Sequence, residues 1–243
     1  MTQPGQTGSM GDMDIGKPDV NGPPADLRKP ASDILQRNPV LAVLRADHAE
    51  EYAPVIDSLV KGGVRSIELT LSTAGVMERL PTLITEFGPD VEIGVGTITT
   101  LKEMKDALDA GARFLVTPIT DPDIVSAAVS RDVPVFPGGL TPTELFAGWT
   151  AGATAVKIFP ASTVGTRYIS QLRGPFPDIE VVPSGGVAIG DAASWIAAGA
   201  LAVSLGGPLL GDAFRGGDLR ALTERAHRVS SIVAESVLER SGR

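Results

Sequence analysis

A (β/α)8 TIM barrel of the α/β class, preceded by a flexible N-terminal tail, is the architecture this sequence predicts. Three observations carry that expectation. Eight short apolar runs alternate with longer amphipathic segments. Gly63, Gly111, Gly152 and Gly199 each end a helical pattern and lead through a small residue into a strand, at intervals of roughly 40 to 50 residues, about two βα units. The length, 243 residues, suffices for one large domain with a well-buried core. A doubly wound open sheet is the alternative, but no Gly-x-Gly-x-x-Gly turn follows the first strand.

Residues 1–30 are rich in Gly, Pro, Asp and Gln and bury too little surface to offset their ordering entropy, so they read as a disordered tail. The barrel domain then spans 31–243. Strands are expected at Val40–Leu44, Ser66–Thr70, Glu92–Val95, Phe114–Thr117, Val133–Phe136, Ala155–Phe159, Glu180–Val182 and Ala202–Leu205. Helical patterns separate them, among them Ala49–Lys61, Leu101–Ala110 and Ala192–Ala198, and Leu219–Leu238 closes the chain. The four recurring glycines suit helix C-termini, where the backbone commonly turns through a left-handed conformation. The uncharged stretch between Asp191 and Asp212 has the length of a membrane span. Gly199, Gly206, Gly207 and Pro208 interrupt it, so it reads as helix, turn, strand and loop.

A balance of 21 basic against 29 acidic residues leaves a net charge of −8, which opposes nucleic-acid binding and requires any anionic substrate to be captured by local groups. With no cysteine there is no disulfide framework or thiolate metal site. His48 and His227, both on segments that read as helical surface, are too few for a histidine metal centre. No cofactor is implied. The first thirty residues lack the apolar core of a signal peptide, so a cytoplasmic protein without membrane partners is expected.

Lys157 stands alone among apolar neighbours in Ala155-Val156-Lys157-Ile158-Phe159-Pro160. Strand alternation sends Val156 and Ile158 to one face, and Ala155, Lys157 and Phe159 to the other. An amine inside a barrel loses hydration, which favours the neutral form that attacks a carbonyl and makes a Schiff base. A lysine snorkelling from a strand end, or holding a phosphate as a point charge, is the plainer reading. In Ser66-Ile67-Glu68-Leu69-Thr70 the same alternation turns Glu68 inward, where a carboxylate must be paired, hydrogen-bonded or protonated. Glu68 falls on the second strand and Lys157 on the sixth. Both are even strands, so the two side chains can share one interior layer, either as nucleophile and proton shuttle or as a structural ion pair.

Other residues gather at strand ends. In Gly94-Val95-Gly96-Thr97 the glycines allow close approach of a ligand and Thr97 offers a hydroxyl. Arg45 closes the first strand, placed either to hold a substrate carboxylate through paired hydrogen bonds or to make a rim salt bridge. The last two strands end in Pro183-Ser184-Gly185-Gly186 and Gly206-Gly207-Pro208. Loops at these two places of a barrel often present backbone N–H groups to phosphate, which makes Gly185, Gly186, Gly206 and Gly207 the phosphate-binding candidates, the alternative being that paired glycines serve only as tight turns.

With these residues placed, the chain resembles the 2-dehydro-3-deoxy-6-phosphogluconate (KDPG) aldolases and their 4-hydroxy-2-oxoglutarate and phosphogalactonate relatives. The matching segments include Leu41-Ala42-Val43-Leu44-Arg45, Ile67-Glu68-Leu69-Thr70-Leu71, Gly94-Val95-Gly96-Thr97, Thr141-Pro142-Thr143-Glu144-Leu145, Lys157-Ile158-Phe159-Pro160-Ala161, Gly174-Pro175-Phe176-Pro177 and Val182-Pro183-Ser184-Gly185-Gly186-Val187. They run in the family's order from about residue 31 to 235. The resemblance implies a metal-independent class I aldolase, a homotrimer that cleaves a phosphorylated sugar acid to a 2-keto acid, pyruvate, and glyceraldehyde 3-phosphate. It implies Lys157 as the Schiff-base lysine and Glu68 as the acid/base, with Thr97, Pro118 and Phe159 lining the pyruvyl pocket. Ser184 falls where KDPG enzymes carry a Thr and phosphogalactonate enzymes an apolar residue, which makes its hydroxyl a candidate contact for the substrate's sugar hydroxyls and leans towards KDPG.

Two positions depart from the family's best-known pattern. Ser72 stands where some members carry an Arg four residues after the Glu, and Arg45 is the cation at hand to replace it. Pro208 stands where many carry a phosphate-binding Ser, and it has neither hydroxyl nor N–H. The competing readings are a 4-hydroxy-2-oxoglutarate or phosphogalactonate aldolase, a phosphate-binding barrel isomerase in which Lys157 is only electrostatic, and a non-catalytic ligand-binding barrel.

Overall fold

Parallel strands are built where β-branched and aliphatic residues run between turn formers, and the computed structural model, which describes residues 28–242, places them close to expectation. They are β1 (Val40–Leu44), β2 (Ser66–Thr70), β3 (Glu92–Gly96), β4 (Leu115–Val116), β5 (Val135–Phe136), β6 (Gly138–Gly139), β7 (Val156–Ile158), β8 (Val181–Pro183) and β9 (Val203–Leu205). The expected Val133–Phe136 strand begins two residues late and resumes after Pro137 as β6. Pro137 has no N–H to give a ladder, although its carbonyl accepts from Lys157 N–H at 2.7 Å. β5 and β6 are therefore halves of the fifth barrel strand, and β7 is the sixth.

The architecture is TIM-barrel-like, but the expected unbroken ring is corrected in one respect. Hydrogen bonding forms two ladders, β5-β4-β3-β2-β1-β9 and β6-β7-β8, in place of one closed cycle. One break is the Pro137 interruption. The other lies between β8 and β9, where a single bridge, Ser184 to Ser204, and a 2.9 Å bond from Leu201 N–H to the Val181 carbonyl join the walls.

Helices fill the connections: α1 (Asp33–Arg37), α2 (Tyr52–Lys61), α3 (Val76–Phe87), α4 (Leu101–Asp109), α5 (Pro122–Ser130), α6 (Pro142–Thr150), α7 (Arg167–Arg173), α8 (Ala192–Ala197), α9 (Gly207–Leu210) and α10 (Leu219–Ser241). Their starts follow from side-chain chemistry. Thr100 with Glu103, and Thr141 with Glu144, form capping boxes whose hydrogen bonds hold both carboxyls below the ordinary range. Their ends follow from glycine: Gly63, Gly111, Gly152 and Gly199 all adopt φ between 95° and 102°. His48 departs from the helical expectation, lying extended before α2 and bridged to Ala74, while His227 lies on α10. The segment from Asp191 to Asp212 forms α8, β9 and α9, and no helix among the described residues is long and apolar enough to cross a membrane.

Alternation splits the core into two layers. Val40, Ala42, Leu44, Ile67, Leu69, Val156 and Ile158 pack outward under the helices, whereas Leu41, Phe114, Val116, Phe136, Ala155, Val182 and Ala202 fill the interior. Phe114 and Phe136 meet edge to face at 6.0 Å, and Leu35 of α1 joins this cluster at the strands' N-terminal end. The interior is thus plugged with apolar side chains at one end, which leaves polar inward residues at the other.

Positions 1–27 of the expected tail lie outside the described residues. Its last members are tied to the body: the Arg28 guanidinium lies 3.4 Å over the Trp149 ring and donates to the carbonyls of Trp149 and Ala153, while Lys29 pairs with Asp132 at 2.6 Å.

Candidate active site

Glu68 on β2 and Lys157 on β7 point into the barrel from opposite walls. Their contact, Oε1 to Nζ, is 3.9 Å, beyond hydrogen-bond length, so the attraction is electrostatic. Both are buried, with Glu68 1% and Lys157 7% exposed. Loss of hydration pushes the Glu68 carboxyl above its ordinary range, and the charges of Lys157 and Arg45 offset only part of that rise. Glu68 Oε2 has no hydrogen-bond partner among the described residues. A buried unpaired oxygen is destabilising by about 1–3 kcal/mol, and such groups are concentrated where chemistry is done.

Neighbouring strands are shaped around this pair. Gly94 and Gly96 face inward from β3, and a β-carbon would overlap the Phe114 ring at the first and the Glu68 carboxylate at the second. The sequence suggested room for a ligand there; the room is taken by these side chains. Thr97 follows at φ 65°, a left-handed conformation that a β-branched residue adopts only under strain of about 1–3 kcal/mol. The Phe159 ring lies 5.3 Å from Lys157 Nζ and is 38% exposed, and the Phe159–Pro160 peptide is cis. Gly185, at φ 83°, lies against that ring, where a β-carbon would come to 2.9 Å. Pro118 follows β4, partly exposed, with its carbonyl 2.8 Å from where a β-carbon on Gly138 would stand.

Arg45 is exposed beyond the end of β1 and lines a cavity of about 510 Å³ with Gly206 and Gly207. Its loop is held in place by the β2 loop: Ala46 N–H donates to Thr73 Oγ1 and the Thr73 hydroxyl donates to the Ala46 carbonyl, both at 3.1 Å. Gly186, at φ 77°, lines a different cavity of about 410 Å³ with Ser162 and Thr166. The two glycine turns follow neighbouring strands that the Ser184–Ser204 bridge joins. Ser184 is buried and its hydroxyl donates to Ser204 at 3.1 Å. Ser72 is exposed, within 3.1 Å of the Thr70 hydroxyl.

Two further residues, Ser204 and Arg215, join the site beyond those the sequence singles out. Ser204 was legible, since alternation from Ala202 turns it inward with Ala202. Arg215, which lines the cavity of Arg45, carried no local signal. Among the described residues, no group of three or more His, Asp or Glu side chains is placed to hold a metal ion.

Comparison with known proteins agrees with this arrangement. The KDPG and KHG aldolase family profile matches residues 31–224. The 2-dehydro-3-deoxy-phosphogluconate aldolase of Dickeya dadantii (strain 3937) is 34% identical over 200 residues, covering 81% of this chain and 92% of that enzyme. A probable 2-dehydro-3-deoxy-6-phosphogalactonate aldolase of Rhizobium meliloti (strain 1021) is 32% identical over 183 residues, 75% of this chain and 86% of that protein. Among solved structures, the KDPG aldolase of Legionella pneumophila, with pyruvate captured as a covalent carbinolamine, superposes with a TM-score of 0.74 at 28% identity, covering 81% of this chain and 96% of that one. The chain belongs to the KDPG and KHG aldolases, class I lyases that act through a Schiff base.

Proposed function

We propose that this lyase cleaves 2-dehydro-3-deoxy-6-phosphogluconate to pyruvate and glyceraldehyde 3-phosphate, with Lys157 as nucleophile and Glu68 as acid and base. The observation that carries the reading is the buried Lys157–Glu68 pair, 3.9 Å apart with one carboxylate oxygen unpartnered.

The free amine of Lys157 attacks the C2 carbonyl, and Glu68 delivers the proton with which the carbinolamine hydroxyl leaves as water. The resulting iminium draws in the C3–C4 electron pair as that bond breaks. The C4 hydroxyl gives up its proton to Glu68, C4 departs as the aldehyde, and an enamine remains on Lys157. Glu68 returns the proton to C3, and water hydrolyses the iminium to pyruvate. A carboxyl whose burial favours the protonated form suits this alternation. Arg45 holds the substrate carboxylate, Thr97, Pro118 and Phe159 line the pyruvyl pocket, and the glycine turns at Gly185, Gly186, Gly206 and Gly207 serve the phosphate.

The gluconate substrate is supported by the name of the Dickeya relative and by a hydroxyl, Ser184, where phosphogalactonate enzymes are apolar. Two observations favour a second reading, 4-hydroxy-2-oxoglutarate or the galactonate epimer: Pro208 lacks a phosphate-binding hydroxyl, and Ser184 already donates to Ser204. Borohydride reduction with pyruvate, followed by mass spectrometry, tests the chemistry; an adduct on Lys157 is expected, and none would point to an isomerase. Rates on the two phosphorylated epimers and on 4-hydroxy-2-oxoglutarate then rank the substrates. Homotrimeric assembly belongs to the same proposal and is checked by light scattering.

A further inference from the structure

Arg215 and Arg45 line one cavity of about 510 Å³ beyond the ends of β1 and β9, and neither guanidinium has a hydrogen-bond or ion-pair partner among the described residues. We propose that Arg215 determines specificity by holding the phosphate at the far end of the aldol substrate, leaving Arg45 to the carboxylate; this rests on the lyase reading above.

Four observations converge on it. The cavity wall at Gly206, Gly207 and Gly211 carries no side chains, so an anion there meets backbone, and Pro208 next to them brings neither hydroxyl nor N–H. A side-chain donor for phosphate must therefore come from another position, and a guanidinium fork matches phosphate geometry. The segment bearing Arg215 is held in place, because Phe214 packs edge-on against the buried Tyr52 at 5.9 Å and Arg215 N–H donates to the Asp212 carbonyl at 2.7 Å. Val43, which also lines the cavity, is the β1 partner of Glu68 in the β1–β2 ladder, so the cavity adjoins the reacting centre. On a chain of net charge −8, a dianion is drawn only by such a local pair of cations. Asp47 also lines the cavity and joins neither arginine in an ion pair, which leaves one net positive charge.

Steady-state kinetics on the phosphorylated aldol and on 4-hydroxy-2-oxoglutarate test the proposal in the wild type, Arg215→Met, Arg215→Lys and Asp47→Asn. Arg215→Met should lower the ratio of kcat/KM for the phosphorylated over the unphosphorylated substrate by about 10- to 100-fold, through KM. Arg215→Lys should restore part of the ratio, and Asp47→Asn should raise it. An unchanged ratio in Arg215→Met, or an equal fall on both substrates, overturns the assignment. Borohydride trapping of pyruvate on wild-type Lys157 separates the two claims: trapping with an unchanged ratio removes only the role of Arg215, and no trapping removes the lyase reading with it.

Discussion

Gly96 and Glu68 claim the same space: a β-carbon on the β3 glycine would overlap Oε1 of the β2 carboxylate. The acid can point at Lys157 only because its neighbouring strand lacks a side chain at that level. Gly96→Ala should therefore displace the carboxylate, reducing kcat by about 100-fold and destabilising the fold by about 1–3 kcal/mol through overpacking. Initial rates with a urea melt check both, and a variant with full kcat would show that the carboxylate's placement is immaterial to turnover.

Removing either member of the central pair should have a distinct signature. Glu68→Gln keeps the side-chain volume, so far-UV circular dichroism should be retained while kcat falls about 10²- to 10⁴-fold, the usual worth of a positioned acid/base. Lys157→Ala should abolish the borohydride adduct altogether. An adduct that persisted in Lys157→Ala would place the nucleophile elsewhere.

Arg45 and Ser72 are alternative places for the cation that serves the carboxylate. Arg45 lies near enough to Glu68 to pull its carboxyl downward, whereas the Ser72 hydroxyl is turned to Thr70. Arg45→Ala should raise the KM for pyruvate in the exchange reaction by about tenfold or more, the loss of a charge-assisted pair. Ser72→Ala should change it less than twofold on the same scale, and the reverse order would remove Arg45 from this role.

Stability should depend on pH through Glu92, at the start of β3. It is buried, accepts from the Ser66 hydroxyl, and is raised above its ordinary 4.5 chiefly by desolvation, with Ser66, Ser32 and Arg113 opposing. The folded chain thus holds this proton at a pH where the unfolded chain has lost it. Stability falls as pH rises from about 4.5 towards the folded value, then levels off. Glu92→Gln keeps an acceptor for Ser66 and carries no charge. Its melting temperature should match the wild type near pH 4 and exceed it near pH 7. A constant difference across that range would show that Glu92 does not titrate differently on folding.

What the sequence determined by itself was set by short-range rules. Alternation alone turned Glu68 and Lys157 to the inner face, because a strand's side chains change face at every residue. Turn chemistry alone assigned Gly63, Gly111, Gly152 and Gly199 to helix ends, because a left-handed residue suits glycine. The tertiary structure decided what depends on residues far apart in the chain. It split the barrel's hydrogen bonding at Pro137 and at the Ser184–Ser204 bridge, gave the space beside Gly96 to Glu68, and brought Arg215 into the cavity of Arg45. Distances across a barrel arise from how eight βα units pack together, and no local window of sequence encodes them.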